Sequence, residues 1–204
     1  MGFYERNRQQ LVELGYDPAR LPPGQYLTQR FPVLHIGTVP DYADLTSWSL
    51  RVSGAVRRPL TLGWDELTSL PAVSVTVDLH CVTKWSKLDT AWHGVRVSDL
   101  LVEAGVEAGA SHVLAHGEGG YTANLPLSAL SGDDAIVAYR YEGEPLAPEH
   151  GYPARLLVPG LYLWKSVKWL RALELLVADV PGTWERKGYH LLGDPWREQR
   201  YDAD

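Results

Sequence analysis

Cys81 is the only cysteine of the chain and lies in the stretch DLHCVTKWS, directly after His80. A lone thiol at such a place has three chemical uses. It can pack as a small buried hydrophobe. It can act as a nucleophile if His80 or His150 comes within reach as a base. It can also bind a soft metal as a thiolate, because a bound cation holds the sulfur deprotonated. Spacing alone does not choose among them. A zinc site is not indicated: there is no second cysteine, and His112 and His116, although four residues apart, fall in a stretch patterned as a strand. Neither GxGxxG nor GxxxxGK[ST] occurs, so the common nucleotide-binding motifs are absent.

A second concentration of chemistry runs through HGYPARLLVPGLYLWKSVKW, which gathers His150, Arg155, Lys165, Ser166 and Lys168. Arginine suits bidentate contacts to phosphate, and lysine serves as a point charge. Gly151 and Gly160 allow backbone amides to approach a ligand. The cluster therefore points either to a phosphorylated small ligand or to a solvated, charged face of one element.

These residues need elements to hold them. Trp48–Ser53 alternates and stops at Gly54, the pattern of a strand. Ala72–Leu79 alternates β-branched and small residues, a strand that delivers His80 and Cys81 at its end. Further short strands are expected at Ser111–His116, Tyr121–Leu125, Ala135–Tyr141 and Arg155–Val158. Helical spacing marks Glu5–Leu14, Trp64–Leu70 and Val97–Ala104, the last closed by Gly105 with Ser98 as a candidate cap. Pro126–Leu130 is a short helix or turn, and Glu142–Pro153 a loop. Lys165–Ala178 favours helix by propensity and strand by position. Pro18, Pro22, Pro23, Pro32 and Pro40 break residues 1–45 into an arm, and the polar, aromatic residues 181–204 form another. Strands and helices mix without strict alternation, and no linker divides the chain. The expectation is one α+β domain over residues 1–204.

Composition sets outer limits. With 45% hydrophobic and 22% charged residues, the 204-residue chain can bury a substantial core. A net charge of −6 argues against general nucleic-acid binding, which needs excess positive charge. No apolar run is long enough to span a membrane. MGFYERNRQQ has neither an apolar stretch nor a twin arginine, and the single cysteine fits a reducing compartment, so a cytoplasmic location is expected.

Four blocks, in order, resemble the molybdopterin-binding domain of the sulfite oxidase family. They are DLHCVTKWS, GGYTANLPLSAL (residues 119–130), EPLAPEHGYPARLLVPGLYLWKSVKWL (residues 144–170) and TWERKGYHLLGDPW (residues 183–196). The likeness runs from about Arg30 to Trp196 and is similar to the small stand-alone bacterial members. It implies that Cys81 ligates molybdenum, that His35, His150, Arg155, Ser166 and Lys168 hold the pterin and its phosphate, and that Tyr189 stands beside the metal. It also implies that residues 171–177 run as a strand against their propensity. The activity implied is a two-electron reaction, such as oxygen-atom transfer, on a small molecule, with Mo-molybdopterin as cofactor. A separate electron-transfer partner, a flavin or nicotinamide reductase, is implied because the sequence has no motif for a second redox centre.

The chain departs from the family at the substrate side. Val33 and Ser86 align with two arginines that surround the substrate anion in sulfite oxidases, so sulfite is not the expected substrate. Lys84 or Lys87 could supply one charge. The expectation is a cofactor domain without a dimerisation or haem segment. Two other readings stay open: a non-catalytic molybdopterin-binding or carrier module, and a metal-free enzyme that uses Cys81 with a histidine base. The arms are expected to close over the site, since His35 and Tyr189 lie on them.

Overall fold

The computed structural model describes residues 2–203. In chain order it forms α1 (Phe3–Glu13), β1 (Tyr26–Leu27), β2 (Ser49–Gly54), β3 (Leu60–Gly63), α2 (Trp64–Ser69), β4 (Val73–His80), β5 (Trp85–Arg96), α3 (Val97–Ala104), β6 (His112–Gly117), β7 (Thr122–Pro126), β8 (Ile136–Tyr141), β9 (Glu144–Pro145), β10 (Arg155–Leu157) and β11 (Leu170–Leu176). Mixed sheets with a few short helices make the fold α+β.

One sheet has the order β3-β2-β11-β6-β7. In the other, β5 pairs with β1, β4 and β8, and β8 pairs in turn with β9 and β10. The main core fills the space between the two sheets. It contains Leu50 and Val52 from β2, Val113 and Ala115 from β6, Leu173 and Leu175 from β11, and Val137 and Leu156 from the second sheet. Side chains alternate across a strand, so Ile136, Ala138 and Leu157 point to the opposite face. There they join Leu79, Cys81, Trp85 and Trp92, and Phe31 from the N-terminal segment packs against this group. The centre of the second sheet is thus covered on both faces, with Phe31, Tyr152 and Leu163 on the outer one, while Ser74 and Thr76 of β4 stay exposed.

Two results differ from the sequence pattern, and one ambiguity is resolved as the resemblance implied. The long strand β5 was not expected, because Lys87, Asp89 and Gly94 interrupt its alternation. The register against β4 shifts between Val77 and Leu79, and that against β8 between His93 and Gly94. At Gly94 a Cβ would lie 2.1 Å from the Val137 carbonyl oxygen, so the close strand approach requires glycine. The segment of ambiguous propensity is the strand β11. It pairs in parallel with β2 and antiparallel with β6, and those two ladders override its helical composition. Lastly, Ser98 does not cap α3: Arg96 takes the cap position, and no side chain bonds the helix N-terminus there. Gly105 closes the helix in the left-handed region as expected, at φ 68°.

Candidate functional site

A cavity of about 370 Å³ opens where the end of β4, the segment around β10 and both terminal segments meet. Cys81, Arg155, Ser166, Lys168, His35 and Tyr189 all line it. Of the seven residues that the resemblance assigns to the site, only His150 is not on its wall.

Cys81 sits at the start of a tight turn after β4. Its amide donates to the Trp85 carbonyl (2.9 Å), its carbonyl accepts from the Lys84 amide (2.9 Å), and Lys84 adopts φ 76° to close the turn. The buried Gln25 side chain donates to the same Cys81 carbonyl at 3.0 Å. The sulfur accepts a hydrogen bond from the Thr83 hydroxyl at 3.1 Å. Burial pushes the thiol pKa up, and the Thr83 contacts oppose that shift. No histidine ring bonds the sulfur among the described residues. His80 Nδ1 faces the Ser86 hydroxyl at 2.8 Å, its ring meets Trp196 edge-on, and the His150 ring stacks on Phe31 at 4.0 Å.

The cations are held by carbonyls. Arg155, 2% exposed, donates from Nη1 to the His150 carbonyl (3.0 Å) and from Nη2 to the Ser166 carbonyl (2.9 Å). Its guanidinium lies 5.5 Å from the Trp92 ring centre. Burial lowers its pKa to about 10. The Lys168 ammonium donates to the carbonyls of Glu149 (2.6 Å) and Leu34 (2.9 Å). Burial first, and then the nearby Arg155 charge, push its pKa down to about 7. Among the described residues no carboxylate lines the cavity, although the Glu149 charge, from outside the wall, partly opposes the fall of the Lys168 pKa. The Ser166 hydroxyl accepts from the Val158 amide at 2.9 Å and so braces the wall. His150 stands behind that wall; its carbonyl binds Arg155, and its Nδ1 is buried without a partner. Gly151 makes a close approach, but to the Arg155 and Lys168 side chains; Gly160 has open space around it.

Both terminal segments contribute walls. Phe31, Pro32, Leu34, His35 and Ile36 come from the first, and Trp184 and Tyr189 from the second. His35 meets Trp169 edge-on at 5.7 Å. Tyr189 packs edge-on to Trp164 (5.2 Å) and tilted on Trp184 (5.0 Å), and burial raises its phenol pKa.

The structure divides the expected cationic cluster. Lys165 does not face the cavity. It forms a wholly buried ion pair with Glu185 at 2.6 Å, and the same Glu185 oxygen accepts the Trp164 indole N–H at 2.8 Å. Lys165 also donates to the Asn124 side-chain oxygen at 2.8 Å. Nor do the expected substitute charges reach the site. Lys84 and Lys87 do not line the cavity, and Ser86 is buried against His80. Residues missed in the sequence are mainly aromatic: Phe31, Trp85, Tyr121, Trp164, Trp169 and Trp184. Two signals were available: the abundance of tryptophan, eight residues beside two phenylalanines, and the place of all these missed aromatic residues but Phe31 inside the four family-like blocks.

A family model described as the oxidoreductase molybdopterin binding domain matches residues 36–184. Cys81, His150, Arg155, Ser166 and Lys168 lie inside the match; His35 and Tyr189 fall just outside it. The chain is 48% identical over 185 residues to an uncharacterized oxidoreductase, YuiH, of Bacillus subtilis, which covers 91% of this chain and 93% of that protein. It is 28% identical to a sulfite oxidase of Arabidopsis thaliana over 76% of this chain, and 35% identical to a nitrate reductase of Hordeum vulgare over 67%. The matches span only 49% and 19% of those two longer proteins. Among solved structures, the sulfane dehydrogenase SoxCD from Paracoccus pantotrophus superposes with a TM-score of 0.62 at 26% identity, over 72% of this chain and 42% of that one.

Proposed function

The chain belongs to the family of oxidoreductase molybdopterin-binding domains, and from that premise we propose that its cavity holds molybdenum as Mo-molybdopterin for a two-electron reaction on a small molecule. One observation carries the reading. Two buried or half-buried cations, Arg155 and Lys168, have only carbonyl partners and meet a buried thiol on one cavity wall. Buried charge without a counterion is costly, so such a site favours an anionic ligand. A pterin phosphate supplies the anion, and a soft metal suits the thiolate of Cys81. No group of three or more His, Cys, Asp or Glu side chains converges as a metal site among the described residues. A metal at Cys81 would therefore need its other ligands from the cofactor.

The bound molybdenum supplies the change between Mo(VI) and Mo(IV), while the chain supplies position and charge. Arg155 and Lys168 neutralise the phosphate, and Ser166 and His150 brace them from the wall and from behind it. His35, from the N-terminal segment, would contact the pterin from its place beside Trp169. Tyr189, whose phenol pKa burial raises further, offers its hydroxyl proton as a donor within the cavity. The aromatic walls exclude water around these groups. Oxygen-atom transfer is the reaction class that fits best. Electrons pass to or from a separate partner, a flavin or nicotinamide reductase, since a single cysteine cannot hold an iron–sulfur cluster. The same lone thiol supports a reducing, cytoplasmic setting. No helix among the described residues is long and apolar enough to cross a membrane.

The test is metal and pterin analysis of protein made in a host that synthesises the cofactor. The expected result is molybdenum and pterin in equal amounts, one of each per chain. Cys81→Ser should lose turnover yet keep most of its pterin. Folded protein with neither component, or full activity in Cys81→Ser, would overturn the proposal.

A further inference from the structure

The turn that carries Cys81 is held from outside by the N-terminal segment. Tyr26 and Leu27, as the parallel strand β1, lie in register with Trp85 and Ser86. The Tyr26 amide donates to the Lys84 carbonyl at 2.8 Å, and the Thr28 amide to the Ser86 carbonyl at 2.9 Å. Upstream, Arg20 forks onto Asp78, with Nε to Oδ2 at 2.9 Å and Nη2 to Oδ1 at 2.6 Å. Between these anchors lies Gln25, whose side chain is fully buried. Its Nε2 donates to the Cys81 carbonyl at 3.0 Å, and the same carbonyl accepts the Lys84 amide at 2.9 Å. Only the amide nitrogen can serve there, since Oε1 would set acceptor against acceptor. Oε1 itself is buried without a hydrogen-bond partner among the described residues. Such an orphan acceptor is costly, and an apolar side chain of the same length would avoid the cost. The turn is strained as well, because Lys84 adopts φ 76° without being glycine. A strained turn keeps one shape only where its surroundings fix it.

We infer that Gln25 is a positioning residue for Cys81: its amide locks the Cys81 carbonyl, and with it the turn that aims the sulfur into the cavity. This rests on the cofactor reading above and deepens it. No cluster of ligating side chains exists among the described residues, so the direction of this one sulfur is the chain's share of the metal's coordination. Gln25 does not line the cavity and acts through the Cys81 backbone. Thr83, on the same turn, donates to the sulfur at 3.1 Å, so a shift of the turn would disturb that bond too.

Gln25→Met removes the donor and the orphan acceptor at nearly constant volume. Amide hydrogen exchange in the empty protein, followed residue by residue by NMR, gives the first readout. Lys84, whose amide shares the Cys81 carbonyl with Gln25, should exchange about tenfold faster in the variant, the effect of one hydrogen bond on a local opening. The amides of β11 should stay within about twofold of their original rates, since the global fold is untouched. The second readout uses protein shown beforehand to carry molybdenum and pterin. The electron paramagnetic resonance spectrum of Mo(V) should change in Gln25→Met at equal metal content. Unchanged exchange at Lys84 would overturn the inference. So would an equal rise at Lys84 and throughout β11, which marks a packing role, or identical Mo(V) spectra. Failure of both Gln25→Met and Gln25→Leu to fold would overturn it as well, by assigning Gln25 to stability. Each of these results would leave the cofactor reading standing. A preparation with no molybdenum or pterin would overturn both.

Discussion

Lys165 and Lys168 are three residues apart and have opposite situations. Lys165 has a counterion: Glu185 at 2.6 Å, with the Asn124 side-chain oxygen at 2.8 Å. Lys168 has none in the cavity wall; like Arg155, it rests on carbonyl oxygens. The first arrangement is complete within the chain and joins the C-terminal segment to the sheet at β7. The second lacks a carboxylate in the cavity wall, which on the proposed reading marks the ligand site. Sequence proximity of basic residues therefore does not identify an anion site. The decisive feature is whether the fold brings a carboxylate to them.

Glu185→Ala should break the comparison most severely. It strands Lys165 as an unpaired buried charge and should cost about 3–5 kcal/mol, read as a lowered midpoint in urea. The double change Lys165→Met with Glu185→Leu should recover most of that loss, because apolar replacement of a whole buried pair is often near neutral. A double variant as unstable as the single one would show that the pair's charge is not what the site requires.

Lys168→Met should do the reverse. The empty protein should keep its stability, since a poorly solvated charge is removed. Affinity for the pterin cofactor should fall roughly ten- to a hundredfold, the worth of a charge-assisted bond. Loss of folding without loss of affinity would assign Lys168 a structural role like that of Lys165.

Changing pH should give a smaller effect on the same residue. The Lys168 pKa is about 7 in the empty fold, below the value of about 10.4 for a free lysine. Between these values the unfolded chain binds more protons than the folded one. The lysine's contribution to stability therefore rises as pH increases from 7 toward 10. Phosphate affinity should move the other way and weaken above pH 7, as the empty site loses its charge. Both slopes should flatten in Lys168→Met, and unchanged slopes would refute the assignment.

The smallest expected effect is at Ser98. Since it does not cap α3, Ser98→Ala should change stability by less than about 0.5 kcal/mol, whereas a true cap would lose about 1 kcal/mol. Thermal unfolding of the empty protein distinguishes the two.

Much of the scaffold was readable because its signals are local. The strand before Cys81 shows period-two alternation, and α3 ends at a glycine that takes a left-handed conformation. Strand β5 was hidden because Gly94 and Asp89 look like breaks, although they serve a close strand approach and a register shift. The ambiguity in Lys165–Ala178 was real: its local preference is helical, and only the ladders with β2 and β6 decide against it.

The site divides along the same line. Residue types and their order by themselves determined the thiol, the basic block and the family likeness, because these depend on chemistry that each side chain carries anywhere. Tertiary structure decided which cations face the cavity and which are already neutralised. It placed His150 behind the wall, turned His80 toward Ser86, and brought His35 and Tyr189 from distant segments to one pocket. The physical reason is range. Hydrophobic periodicity and turn chemistry act between neighbours in the chain, whereas ion pairing and desolvation depend on groups that only folding makes neighbours. Glu185 lies twenty residues beyond Lys165, and nothing in the intervening sequence marks it as the partner.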